Sequence, residues 1–230
     1  MFESLKEQVC AANKALAAHG LVTITFGNAS ACDRENGIIA IKPSGVDYDA
    51  LQPRHIVLVD FAGCKVEGDL NPSSDTPTHL AIYRLSGTIG GVTHTHSSFA
   101  TMFAQAKLGI PCLGTTHADH FNGDVPVTRP LTKAEIAGEY EKNIGAVLGE
   151  CFRELDPAAM PGVLVACHGP FTWGRDVAEA VENAVALEEI AKTTFGTLLL
   201  NGSTAAIPED LRRRHFFRKH GDDATYGQRS

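Results

Sequence analysis

The chain has 230 residues, 43% hydrophobic and 20% charged, with 22 glycines and 11 prolines. That size and apolar content suit a single domain over residues 1–230 with a sizeable core, and exclude a disordered chain. Lys and Arg total 20 against 27 Asp and Glu, a net charge of −7. This gives no support to nucleic acid or an anionic membrane as partner, but leaves room for one small phosphate held by a few local donors.

The first residues, Met1-Phe-Glu-Ser-Leu-Lys-Glu, carry acids where an export signal carries bases. No stretch approaches the roughly 20 apolar residues of a bilayer span, so a cytoplasmic location is expected. Six scattered cysteines without a C-x-x-C pair read as reduced thiols, several of them core fillers. The compositional oddity is ten histidines against one tryptophan.

In chain order, Leu5, Val9, Ala12 and Leu16 fall on one helical face, and Gly20 suits the left-handed cap, which predicts a helix over about 3–19. Short β-like runs follow at 21–25, 37–41 and 55–60, punctuated by turn residues, so a largely antiparallel sheet is expected. Asp75 or Thr76 caps a helix with Pro77 in its first turn. Residues 91–96 read as a strand and 97–106 as a helix. Thr132 and Glu135 make a capping-box pattern for a helix to about 154, and Asp176 and Glu179 open another to about 200. Between them, 162–167 is a short buried strand. Helices around such a sheet give a layered α/β domain.

Three constellations carry chemistry. His94-Thr95-His96 ends a strand, where alternate side chains share a face and can present two imidazoles to one metal. A solvated or core pair explains an isolated H-x-H equally well, but His168, just past another apolar strand, offers a third ligand and the open-site chemistry of catalytic zinc. Lys42-Pro-Ser44-Gly45 and Asn71-Pro-Ser73-Ser74-Asp75 combine hydroxyls, accessible amides and one ammonium, equipment for a phosphomonoester; alone, each is also an ordinary turn. Gly114-Thr115-Thr-His-Ala-Asp119 gathers acid, hydroxyl and imidazole in one stretch, which helix capping would also explain.

Taken together, Phe26-Gly-Asn-Ala-Ser, Ile41-Lys-Pro-Ser-Gly-Val, Pro72-Ser-Ser-Asp-Thr-Pro-Thr-His, Thr93-His-Thr-His, Gly114-Thr-Thr-His-Ala-Asp, Pro161-Gly-Val-Leu-Val-Ala-Cys-His-Gly-Pro-Phe and the Tyr226-Gly-Gln tail resemble the class II aldolase/adducin family. Within it they resemble the branch that inverts carbon 4 of a ketopentose phosphate. The resemblance implies a three-layer α/β/α fold with a central, mostly antiparallel sheet, and one Zn2+ per subunit. It also implies a cyclic homotetramer whose active sites lie between subunits, and a small sugar-phosphate substrate of arabinose-type or ascorbate-type catabolism. Carried over by motif, His94, His96 and His168 bind the metal with Asp75 beside it. Asn28, Lys42, Ser44, Gly45, Ser73 and Ser74 form the phosphate pocket. Asp119 and Tyr226 are the acid/base pair, supported by Thr115, Glu141 and His215, with Tyr226 reaching a neighbouring subunit.

The chemistry agrees with that implication. Carbon 4 is not adjacent to the carbonyl, so its proton is not acidic; breaking the bond between carbons 3 and 4 avoids the difficulty and calls for a metal and two acid/base groups. Asp75 stands where related aldolases carry Glu, and its shorter reach favours the epimerase. His120 and Thr225 stand where epimerases often carry aromatic residues. The alternatives are a class II aldolase acting on a deoxyketose 1-phosphate and a non-catalytic adducin-like interaction module. A module of that kind has no reason to keep three metal imidazoles and the acid pair.

Overall fold

The opening amphipathic segment forms helix α1 (Glu3–Ala18), which buries Val9, Cys10, Ala12 and Leu16. It ends as expected, with Gly20 at φ +70°. The computed structural model describes residues 2–221 and residue 224; Thr225 and Tyr226 lie outside the described residues. The run at 21–25, expected as a strand, is an irregular turn. Ile24 there takes a left-handed φ of 56° and is 69% exposed, so it has neither the backbone nor the burial of a strand. The chain enters the sheet only at β1 (Asn28–Asp33).

The sheet continues through β2 (Ile38–Ile41), β3 (Val57–Asp60), β4 (Lys65–Glu67), β5 (Gly91–His94), β6 (Gly162–Leu164) and β7 (Pro170–Gly174). Its spatial order is β4-β3-β2-β1-β5-β7-β6, and every adjacent pair of these strands is antiparallel. Side chains alternate across it: Ile38, Ala40 and Leu58 pack with α1, whereas Ile39, Val57 and Val59 join the core on the other face. That second face is covered by α2 (Thr76–Tyr83), α3 (Ser98–Ala106) and α6 (Tyr140–Cys151), which contribute Leu80, Phe103 and Leu148 to the core. The long helix α7 (Val177–Leu200) serves both cores, Val177 and Val181 packing beside α1 and Leu187 and Ile190 in the larger core. These layers are the expected α/β/α arrangement.

Two boundaries differ from the sequence reading. The capping box forms, Glu135 N–H donating to Thr132 Oγ1 at 3.3 Å and Thr132 N–H to the Glu135 carboxylate at 2.7 Å. The helix it opens, α5 (Lys133–Ala137), nevertheless stops at once, because Gly138 leaves the helical region with ψ −137°; α6 restarts at Tyr140. The chain also forms α4 (Thr115–Ala118) and α8 (Glu209–His220), neither of which the periodicity marks. No helix among the described residues is long and apolar enough to cross a membrane.

Candidate metal and phosphate site

Three histidines converge from two sheet-end connections. His94 is the last residue of β5 and His96 follows on the same face, their Nε2 atoms 3.0 Å apart. His168 arrives from the turn between β6 and β7, and one ligand atom from each of the three lies within 4.8 Å of the others. The approach of that turn depends on Gly169: a Cβ there would stand 2.6 Å from the Thr95 carbonyl oxygen. The residue before His168, Cys167, is held at φ 64°, a left-handed conformation that a non-glycine residue adopts only under constraint.

The electronic state of these rings suits a metal. The His94 Nδ1–H donates to the Pro170 carbonyl at 3.0 Å, which leaves the Nε2 lone pair free for a cation. Burial pushes His168 down to about 3, with His94 and His96 adding to the effect, and burial followed by His94 lowers His96. Neutral imidazoles are the ligating form. The His168 Nδ1 is buried and has no hydrogen-bond partner among the described residues, an orphaned polar atom of the kind a bound ion or water satisfies. The residues present therefore fit a metal ion.

Asp75, at the start of α2, lines the same cleft, but among the described residues the convergent ligand set is His94, His96 and His168. Its Oδ2 accepts from Asn28 Nδ2 at 2.7 Å. Burial works against the Asp75 carboxylate, yet His94, His79, the Asn28 amide and His168 hold its pKa below the usual carboxylate range.

The two turn segments read as a phosphate cradle are joined in space. Ser44 N–H donates to the Asn71 carbonyl at 3.0 Å and Ser73 N–H to the Lys42 carbonyl at 3.1 Å, so 42–45 and 71–75 form one wall. With the histidines they enclose a cleft of about 270 Å³, lined by Asn28, Lys42, Ser44, Ser73 and Ser74 on that side; Gly45 follows in the turn. Lys42 is 1% exposed, and among the described residues its ammonium meets the Pro43 carbonyl at 3.4 Å and the Tyr48 ring at 4.8 Å and forms no ion pair. Burial lowers its pKa, opposed by Asp47. A buried ammonium without a carboxylate partner is costly unless an anion completes it.

Asp119 stands apart from that cleft. It follows α4 and is gripped by α8: Arg218 donates to both carboxylate oxygens at 3.1 and 2.9 Å, and His215 Nδ1 lies 3.1 Å from Oδ1. Burial would raise the Asp119 pKa, but the Arg218 and His215 contacts bring it below the ordinary value. Thr115 lies on the α4 side too, in a separate cavity with Thr116 and Thr193, whereas Glu141 lines the histidine cleft. Among the cleft residues to which motif reading gave no role are two aromatics, Phe26 and Tyr140. Phe26 sits inside a motif already noted for Asn28, and Tyr140 beside Glu141, but neither carries a periodic or charge signal.

A fold of this topology, with three imidazoles at the strand ends, defines a class II aldolase-type protein. Residues 7–195 match the family model described as Class II Aldolase and Adducin N-terminal domain, and the chain belongs to that family. More particularly, it is 51% identical over 227 residues to the L-ribulose-5-phosphate 4-epimerase UlaF of Salmonella paratyphi C, covering 99% of this chain and 100% of the relative. The same identity and coverage hold for the protein of that name from Salmonella choleraesuis. Among solved structures, an L-fuculose 1-phosphate aldolase superposes with a TM-score of 0.80 at 25% identity, covering 92% of this chain and 94% of its own.

Proposed function

We propose that the protein is a cytoplasmic, zinc-dependent L-ribulose-5-phosphate 4-epimerase that interconverts L-ribulose 5-phosphate and D-xylulose 5-phosphate. The observation that carries this reading is one cleft with three converging imidazoles on one wall and, on the other, the buried ammonium of Lys42, which forms no ion pair among the described residues. The full-length likeness to curated epimerases supports it.

Lys42, with the hydroxyls of Ser44, Ser73 and Ser74, the Asn28 amide and the Gly45 backbone, holds the 5-phosphate and fixes one end of the substrate. His94, His96 and His168 hold the metal, with Asp75 beside them; when bound there, zinc supplies Lewis-acid stabilisation of negative charge on nearby substrate oxygens. One member of the Asp119/Tyr226 pair takes the proton from the hydroxyl on carbon 4. As the bond between carbons 3 and 4 breaks, its electrons pass into the enediolate of dihydroxyacetone, and carbon 4 becomes the aldehyde of glycolaldehyde phosphate. The aldehyde rotates about its phosphate anchor and re-forms the bond through its opposite face. The other member of the pair returns a proton to the new alkoxide. Arg218 and His215 keep Asp119 ionised and so able to accept a proton, though with lowered basicity.

Asp119 and Thr115 do not line the cleft of their own chain. In this reading a neighbouring subunit of a homotetramer presents them, together with His215 and the tail bearing Tyr226, to a cleft that already holds its own Glu141.

The deciding experiment is product analysis with purified, zinc-loaded protein and L-ribulose 5-phosphate. The expected result is D-xylulose 5-phosphate without stoichiometric dihydroxyacetone. The structural neighbour favours an aldolase acting on a deoxyketose 1-phosphate as the second reading; cleavage of such a substrate, with no epimerisation of the pentulose phosphate, would replace the first.

A further inference from the structure

The cleft is polar nearly throughout, and the exceptions are placed with regularity. Phe26 and Tyr140 are the large aromatic carbocyclic side chains that line it. The Phe26 ring lies 6.0 Å from His96 at a tilt of 35°, and the Tyr140 ring lies 6.4 Å from His168 at 31°. His96 and His168 are themselves 4.9 Å apart. Each of these two aromatic rings therefore neighbours a different one of the paired imidazoles. Both walls are exposed, Phe26 by 51% and Tyr140 by 37%, so neither is a core residue that merely reaches the cleft. Each is delivered by an interruption of regular structure: Phe26 by the turn before β1, and Tyr140 by the helix break at Gly138.

We infer that Phe26 and Tyr140 form the walls that retain the cleaved intermediate, preventing water from reaching the enediolate and the aldehyde from leaving before it is re-added. The inference rests on the epimerase reading. After bond cleavage the aldehyde fragment is tied to the protein by its phosphate alone, and it must turn over without escaping. Hydroxyls and amides hold the phosphate but do nothing to keep water from the neutral middle of the substrate. Two aromatic faces beside the converging histidines supply that exclusion, and the cleft of about 270 Å³ leaves room for rotation.

The test measures how many turnovers end in free dihydroxyacetone and glycolaldehyde phosphate rather than in the epimer. Phe26→Ala and Tyr140→Ala, both at exposed positions, are each expected to raise that fraction on the order of tenfold, a change of about 1.4 kcal/mol in the partition. Tyr140→Phe keeps the wall and is expected to keep the low release of the wild type. Alanine variants that slow epimerisation without releasing fragments would overturn the inference, as would a Tyr140→Phe protein that leaks like Tyr140→Ala. Failure of the wild-type protein to epimerise at all would instead remove the reading beneath it, so the two outcomes are distinct.

Discussion

At the scale of single residues, the site depends on groups held in unusual states. Lys42 has lost most of its solvent without gaining a carboxylate, so its replacement removes a charge-assisted contact worth roughly 1.5–3 kcal/mol. Lys42→Met is therefore expected to raise the KM for the sugar phosphate by roughly tenfold or more while leaving zinc content intact; an unchanged KM would take Lys42 out of the phosphate cradle. Buried histidines outside the metal set also have consequences. His79 hydrogen-bonds Ser30 through Nδ1 at 2.7 Å and is pushed down to about 3 by burial; His117, Nε2 to the Gly123 carbonyl at 2.8 Å, is pushed to about 4 by burial. Both pKa values are depressed in the folded chain, so the unfolded chain takes up protons first, from about 6.5 downward. The stability they contribute is present above that value and is lost as pH falls toward 4 and then 3. Urea titrations at neutral pH and at pH ~5 should differ by roughly 2 kcal/mol for each of the two rings, and His117→Gln should flatten that dependence.

At the scale of elements, the placement of His96 is controlled from far along the chain. Helix α3 begins just after it, and Ser97, the residue at its N-cap, makes no side-chain capping bond. Glu188 of α7 takes over, its two carboxylate oxygens accepting from the amides of Phe99 at 2.8 Å and Ala100 at 2.9 Å. A capping carboxylate borrowed from another helix satisfies two orphan donors and opposes the helix dipole, and it ties the segment carrying His96 to the core. Glu188→Ala is expected to cost about 1–3 kcal/mol of stability and to weaken zinc roughly tenfold by displacing a ligand. Chelator competition would measure this, and unchanged zinc affinity in a destabilised protein would limit Glu188 to a structural role. The early stop of α5 shows a related dependence: the capping box specified where a helix starts, but Gly138 decided how far it runs.

At the scale of the whole molecule, Asp119 does not line the histidine cleft of its own chain, so the proposed acid/base role needs a second subunit to bring the two together. In the proposed reading, a ring of subunits with head-to-tail contacts joins them, each chain giving Asp119 to one neighbour and histidines to the other. His96→Asn and Asp119→Asn should each be inactive alone. Mixed under conditions that allow subunit exchange, they should regain up to roughly a quarter of wild-type activity, because random mixing leaves about that share of junctions with both native residues. Assays of the mixture against each parent check this, and a mixture as inactive as its parents would place Asp119 and His96 in the same chain's site.

By itself, the sequence determined those features that depend on local pattern. The 3.6-residue spacing set α1, the Asp176 and Thr132 caps set the starts of α7 and α5, and the His94/His96 alternation put two imidazoles on one strand face. Its motifs also picked out residues of the two turns that line one wall of the cleft. Tertiary structure alone decided the rest. β1 is small and polar, Asn-Ala-Ser-Ala-Cys-Asp, and is a strand because β2 and β5 satisfy its backbone on both sides. Lys42 and Ser73 meet only through the contact of two distant turns, and Phe26 and Tyr140 face the histidines only because two breaks in regular structure turn them there. Local spacing records which residues share a face; which faces come to share a cleft is fixed by the order in which strands pair, and no short stretch of sequence carries that order.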